Sequence, residues 1–326
     1  MATSPPPPAT KTDKSQRNKG LMRRLALAGK QVYISVLGFD RYKRARTAYQ
    51  VQQKTKQGMN LLLVHTMGKV GSTTIAASLK ARGFKKSWAM YQPHFLSEEW
   101  LANADRLANA GIPGWATLAR QFREGFPRSH RLSEELARQR KAGKQVTVIT
   151  IVRDPVAVNI SGLFHNQAWW PSELKAACAK PTADCLAELQ TYFLESYPHD
   201  VPDVWFDNEL RPLYNVDVFA EPFDKEKGYA IYRSELANIL LLKLEDVEQC
   251  AAEAFKEFLG LDDFELVTAN TAENKEYADI YKAFRKNLSL PDGYLDRMYA
   301  SRVAQHFYTD EEIDEFRRKW VGGKAG

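Results

Sequence analysis

The stretch Asn60-Leu-Leu-Leu-Val-His-Thr-Met-Gly-Lys-Val-Gly-Ser-Thr-Thr-Ile-Ala-Ala-Ser-Leu-Lys80 decides how this chain folds. Residues 61–64 are a short apolar run of the kind that forms a strand covered on both faces, and residues 75–79 open a helix. Between them Gly68 and Gly71 let the backbone turn sharply and approach an anion closely. The N–H groups of Ser72, Thr73 and Thr74 point outward at the positive end of the helix dipole. Lys69 adds a full charge and the three hydroxyls add donors, so strand, turn and helix together make a cradle for phosphate or sulfate. By itself the pattern also fits a glycine turn before a core helix. In the nucleoside triphosphate loop G-x-x-x-x-G-K-[ST] the lysine follows the second glycine. Here Lys69 precedes Gly71, which moves the ammonium from the β/γ-phosphate side to the mouth of the loop.

Outward from this cradle, residues 145–152 are rich in Val, Ile and Thr and read as another central strand. A helix over 133–141 leads into it. An earlier helix, capped by Ser97 and carrying Trp100, Leu101, Ala104, Leu107 and Ala108, ends near Gly111, and residues 88–97 before it read as extended. Strand, helix, helix, strand implies a crossover and hence parallel pairing. Residues 228–232 and 239–244 read as further strands, and 247–259 as a helix closed by Gly260. The C-terminal part reads as helical, with Tyr277, Ile280, Tyr281 and Phe284 on one face and a capping box of Thr309 with Glu312. The fold expected is α/β: a P-loop-like, three-layer domain over 60–322 with a central parallel sheet flanked by helices. Arg153 stands at the C-terminal end of the 145–152 strand, where open parallel sheets bind ligands. Pro155 suits the first turn of a helix, and Ser161, eight positions after Arg153, lies about two turns along. That spacing can aim a guanidinium and a hydroxyl at one phosphate.

At 326 residues and 44% apolar content the chain can bury a substantial core. Its formal charge of +6 is unevenly placed. Thirteen of the 46 Lys and Arg, but only Asp13 and Asp40 of the 40 acidic residues, lie in the first sixty positions, so that segment carries +11 and the remainder −5. A nucleic-acid-binding body is therefore disfavoured. Residues 1–20, with the proline run 5–8, read as a disordered tail, and 21–59 as a basic leader segment. Within it, residues 21–46 fit either an amphipathic segment touching an anionic membrane surface or a leader helix packed on the domain. The apolar run is too short to cross a bilayer and has no signal cleavage site. Cys178, Cys185 and Cys250 are an odd set without metal spacing, which implies no disulfide framework and points to a reducing, cytoplasmic setting. Cys250 falls on the apolar face of its helix.

The order Lys-x-Gly-Ser-Thr after the first strand resembles the 5′-phosphosulfate loop of the sulfotransferases, with Met67-Gly68 in place of their usual hydrophobic-Pro pair. Val152-Arg-Asp-Pro followed by Ser161 resembles their 3′-phosphate motif. Asn159-Ile-Ser-Gly-Leu-Phe, Trp205-Phe-Asp-Asn-Glu, Asp217-Val-Phe, Leu241-Leu-Lys-Leu-Glu-Asp-Val, Phe258-Leu-Gly-Leu, Asn274-Lys-Glu-Tyr and His306-Phe-Tyr resemble the bacterial capsular polysaccharide synthesis proteins of that superfamily. The resemblance spans roughly 60–320.

It implies 3′-phosphoadenylyl sulfate as donor, with its 5′ end on Gly68, Lys69, Gly71, Ser72, Thr73 and Thr74 and its 3′-phosphate on Arg153 and Ser161. The acceptor it implies is a carbohydrate hydroxyl. Lys69 would stabilise charge growing on the leaving oxygen. The scheme needs no metal, because a sulfuryl group carries less charge than a phosphoryl group. His94, in Tyr91-Gln-Pro-His-Phe-Leu-Ser97, matches the family's histidine before Phe-Leu and is the candidate base. Gln92 stands where some relatives have a second histidine. His65 reads as a strand-end core residue and His165 as a neighbour of the nucleotide. Glu245 and Asp246 read as a helix start or as groups orienting the site. Trp169, Trp170, Trp205 and Asp207 fit a sugar-binding cleft and core packing equally well. Two rivals stand beside the transferase: a magnesium-dependent P-loop kinase, which the lysine order and the arginine ending of the second strand disfavour, and a non-catalytic nucleotide-binding component of capsular polysaccharide assembly.

Overall fold

The computed structural model describes Gln53, residues 59–267 and residues 277–321, with only the backbone of Lys85 and of residues 124–131. The tail expected over 1–20, nearly all of the basic leader, and Asn274-Lys-Glu lie outside the described residues. The chain divides between Gln53 and Lys54 into two units, and the fold that follows is the second.

Strand β1 (Asn60–Val64) is buried at four consecutive positions. Neighbouring strand residues point to opposite faces, so both faces of β1 are covered, as its unbroken apolar run requires. The glycine turn follows, then helix α1 (Ser72–Ala81) and the edge strand β2 (Trp88–Tyr91). Helix α2 (Glu98–Asn109) begins at Ser97, whose hydroxyl accepts the N–H of Glu99. Helix α3 spans Trp115–Lys141, much longer than the 133–141 expected from sequence. It runs past Gly125 and Pro127 because Trp115, Leu118, Ala119 and Phe122, spaced i, i+3, i+4, i+7, bury one face that local propensity does not register. Strand β3 (Val146–Val152) leads into α4 (Pro155–His165), and α5 (Ala183–Ser196) follows. Residues 201–214 are helical throughout, with one π-helical turn at Phe206–Leu210. Strands β4 (Tyr229–Arg233) and β5 (Ala237–Lys243) come next, then α6 (Val247–Leu259), closed by Gly260 at φ 66°. Helices α7 (Ala278–Asn287), α8 (Asp292–Tyr299), α9 (Arg302–Phe307) and α10 (Asp310–Val321) follow among the described residues.

The sheet order is β2-β1-β3-β5-β4. β1 pairs in parallel with β2 and β3, and β3 with β5 in the register Ile149 to Leu240. The α/β architecture holds, with one correction: β4 is antiparallel to β5 rather than parallel. Residues 234–236 are too few for a crossover, so the two strands close as a hairpin, pinned by the Ser234 N–H on the Ala237 carbonyl at 2.9 Å. The capping box of Thr309 and Glu312 forms as expected, with the Thr309 N–H on Glu312 Oε2 at 2.8 Å and the Glu312 N–H on Thr309 Oγ1 at 3.2 Å.

The cysteines depart from the sequence reading. Cys178 and Cys185 are disulfide-bonded, with Cα atoms 4.9 Å apart, and the buried Cys250 is the free one. The turn between the short helix Ser172–Ala177 and α5 brings the two thiols together, which a spacing of seven residues does not announce. The cysteine argument for a reducing compartment falls with it. Among the described residues no helix is long and apolar enough to cross a membrane.

Candidate active site

The C-terminal ends of β1 and β3 open into one cavity of about 740 Å³. After β1 the chain turns through Gly68 at φ 89°, Lys69 at φ 63° and Gly71 at φ 80°. Two of these three left-handed positions are glycines, the residue for which that region carries no steric cost. At Gly71 the requirement is double, since a Cβ there would meet Leu244 Cδ1 at 2.6 Å. Gly71 also starts α1 without any side-chain cap, so the positive end of that helix faces the cavity wall built by Ser72, Thr73 and Thr74.

β3 ends differently. Asp154 caps α4 by accepting the Val156 N–H at 2.9 Å, Pro155 takes the first helical position, and Arg153 Nη1 reaches back to the Lys69 carbonyl at 2.7 Å. Asp154 also accepts the Tyr299 hydroxyl and Trp320 Nε1, both at 3.1 Å. Burial pushes its carboxyl up, opposed by the Trp320 and Val156 donors and the Arg153 charge. Glu245 accepts the Asp154 N–H and the Tyr308 hydroxyl, each at 3.0 Å. Glu245 thus braces the Arg153 junction, while Asp246 pairs with the Lys243 ammonium at 2.7 Å.

His94 lines the same cavity beside Gly68, where a Cβ in place of hydrogen would sit 3.8 Å from the ring Nδ1. That Nδ1 donates to the Thr66 carbonyl at 2.8 Å. A neutral ring so held keeps its lone pair on Nε2. Burial lowers its pKa, partly offset by the Thr66 bond, and the charge of Lys69 adds to the lowering. The ring is therefore neutral near pH 7, the form able to accept a proton.

All nine expected site residues, Gly68, Lys69, Gly71, Ser72, Thr73, Thr74, His94, Arg153 and Ser161, line this cavity. Lys69 and Arg153 are the charged residues of the wall, and no carboxylate lines it among the described residues. His165, Trp169 and Trp170 also line it. Trp205 does not: it is fully buried, with Nε1 on the His94 carbonyl at 3.0 Å. Asp207 lies away from the cavity and pairs with Arg211 and Arg302. His65 is a core residue, as expected, with burial lowering its pKa to about 3.

Three contributors escaped the sequence reading. Gln92 Nε2 donates to Ser72 Oγ at 2.8 Å, which leaves the serine hydroxyl hydrogen for another acceptor. Tyr192 and Tyr197, after α4 in the chain, add an aromatic wall. Gln92 carried a signal in its position two before His94; the tyrosines carried none. No curated protein and no solved structure matches the chain. One family model matches, described as "Putative capsular polysaccharide synthesis protein", and the residues similar to it are 186–309, which hold Trp205, Glu209, β4, β5 and the cavity residues Tyr277 and Tyr281 but neither the turn after β1 nor the Arg153 junction.

Proposed function

We propose that the chain is a sulfotransferase that moves a sulfuryl group from 3′-phosphoadenylyl sulfate to a hydroxyl of a carbohydrate, in the setting of capsular polysaccharide synthesis. One observation carries this reading. The lysine-first turn and the Arg153–Ser161 pair, separated by some eighty residues in the chain, share a single cavity whose described wall holds two cations and no carboxylate. Such a wall suits a ligand with negative charge at two ends.

In this scheme the 5′-phosphosulfate lies on Gly68, Lys69, Gly71 and the start of α1, and the 3′-phosphate on Arg153 and Ser161. The acceptor oxygen attacks sulfur, the bond from sulfur to the bridging phosphate oxygen breaks, and adenosine 3′,5′-bisphosphate leaves. Lys69 stabilises the charge gathering on that bridging oxygen, more in the transition state than in the ground state. The acceptor proton passes to Nε2 of neutral His94. Trp169 and the tyrosines offer aromatic faces to a sugar ring.

Calorimetric titration with adenosine 3′,5′-bisphosphate, beside ATP and with a chelator present, tests the reading. Binding of the bisphosphate in preference to ATP, without magnesium, is the expected result. Magnesium-dependent binding of ATP alone would favour the kinase. Bisphosphate binding without transfer to any of a panel of capsular polysaccharides would favour the non-catalytic component.

A further inference from the structure

We propose that Glu209 is a positioning residue for His94, clamping from behind the segment that carries the ring. The clamp rests on the transferase reading only for the role given to His94. The π-helical turn Phe206–Leu210 is the local cause. Such a turn adds a residue to the backbone ring, re-aims the side chains around it, and often occurs at functional sites. Here Trp205 and Glu209 reach the same short segment. Trp205 Nε1 holds the carbonyl of His94 at 3.0 Å, while Glu209 Oε2 accepts the N–H of Leu96 at 2.9 Å and of Ser97 at 3.2 Å. From the opposite side the Thr66 carbonyl takes Nδ1–H of His94, and the Thr66 N–H holds the Pro93 carbonyl at 3.3 Å. The main chain is thus fixed before, at and after His94, by groups that are themselves buried.

Glu209 is held in turn. His65 Nε2 lies 3.2 Å from its Oε2, and His65 Nδ1 lies 2.9 Å from the Tyr214 hydroxyl. The Nε2 contact is not aligned as a hydrogen bond, so the carboxylate accepts the two backbone N–H groups while the His65 ring packs against it. Burial raises the Glu209 carboxyl well above its usual range, with the charge of Glu99 adding to the rise and the Leu96 and Ser97 donors opposing it. A buried carboxylate is a costly filler for packing alone. What it supplies is direction: acceptors for two N–H groups just past the candidate base. Misplacement of a reacting group by about 1 Å can cost on the order of 10²-fold in rate.

The test is nitrogen-edited NMR of the histidine rings in the whole chain, native beside Glu209→Leu. Native His94 should be a single neutral tautomer with the proton on Nδ1. Leucine keeps much of the side-chain volume but accepts from neither the Leu96 nor the Ser97 N–H, so the clamp loosens. His94 should show mixed tautomers, and kcat should fall about ten- to hundredfold with bisphosphate affinity unchanged. Trp205→Phe keeps the ring packing and removes only the donor to the His94 carbonyl; it guards against a misfolded Glu209 variant and should mix the tautomers to a smaller degree. A native His94 protonated on Nε2, or one sharp tautomer persisting in both variants, overturns the proposal. The tautomer is read without substrate, so a chain that transfers nothing fails the transferase reading while this test still decides the clamp.

Discussion

β1 and β3 lie side by side in one sheet, and each feeds a helix at its C-terminal end, yet the two junctions are built in opposite ways. After β1 the helix starts at a left-handed glycine with no side chain on its N-terminus. After β3 the helix is capped by its own aspartate and begins with proline. An uncapped N-terminus is a standing site for an external anion, whereas a capped one has supplied its own. The β3 junction therefore contributes to the cavity through Arg153, a side chain reaching out of a closed and braced corner. One junction offers backbone, the other a guanidinium on a rigid mount.

Lys69→Ala is the severest test of the open junction. If the backbone cradle binds the donor and Lys69 acts on the leaving oxygen, turnover falls on the order of 10²–10³-fold while bisphosphate affinity drops far less. Initial rates of bisphosphate release, set beside a calorimetric affinity, separate the two effects. A parallel loss in both would make Lys69 a binding group only, and the contrast between chemistry at one junction and anchoring at the other would fail.

The closed junction is tested by neighbours with different duties. Asp154→Ala strips an acceptor from Val156 N–H, the Tyr299 hydroxyl and Trp320 Nε1, and should cost about 3 kcal/mol in denaturant unfolding, since each buried donor left unpaired costs roughly 1–3 kcal/mol. Arg153→Ala should leave stability nearly intact and weaken bisphosphate binding by roughly ten- to a hundredfold, the usual worth of a hydrogen bond to a charged group. Reversed outcomes, stability lost with Arg153 or affinity lost with Asp154 in a folded protein, would dissolve the division between mount and mounted group.

This contrast was half visible in the sequence. Glycines at 68 and 71, and proline at 155, state their backbone needs locally, so both junctions could be read from the chain alone. The hydrophobic runs of β1, β3 and β5 are long and unbroken enough to name themselves. What escaped depends on partners far away. The antiparallel pairing of β4 follows from a connection too short to cross over, and α3 continues past Gly125 and Pro127 because its Trp115 face is buried. The Cys178–Cys185 bond needs a turn that brings two ordinary positions together. Glu209 shows the limit most clearly: one acidic residue in a polar-looking Phe-Asp-Asn-Glu run is buried only because a π-helical turn and His65 meet it there. The sequence left Trp205 and Asp207 open between a sugar cleft and core packing for the same reason, since neighbouring helices decide that Trp205 is buried and Asp207 pairs with arginines.

The finest test concerns the packing behind α4. Asn159 of that helix donates to the His199 carbonyl at 3.0 Å, and the His199 ring lies between the Phe193 carbonyl on Nε2 at 2.6 Å and the Tyr294 hydroxyl on Nδ1 at 3.0 Å. Burial lowers its pKa from 6.5 to about 4, the Phe193 bond opposes the shift, and the charge of Arg297 adds to it. In the unfolded chain this histidine takes up a proton below about pH 6.5, whereas the folded ring does so only near 4. Its contribution to stability is therefore complete above about 6.5 and is lost as pH falls through that window, at about 1.4 kcal/mol per pH unit. His65 acts in the same direction. Asp154, Glu209 and Glu245, raised by burial, act oppositely, their contribution being lost as pH rises through their folded values. Absolute stability at acid pH thus mixes both signs, and the informative quantity is the difference between native protein and His199→Gln. Denaturant midpoints measured from about pH 7 to about pH 4.5 should converge, because the variant no longer carries the acid penalty of this ring. Curves that stay parallel would mean His199 titrates alike in both states, and that the closed corner is looser behind α4 than its hydrogen bonds require.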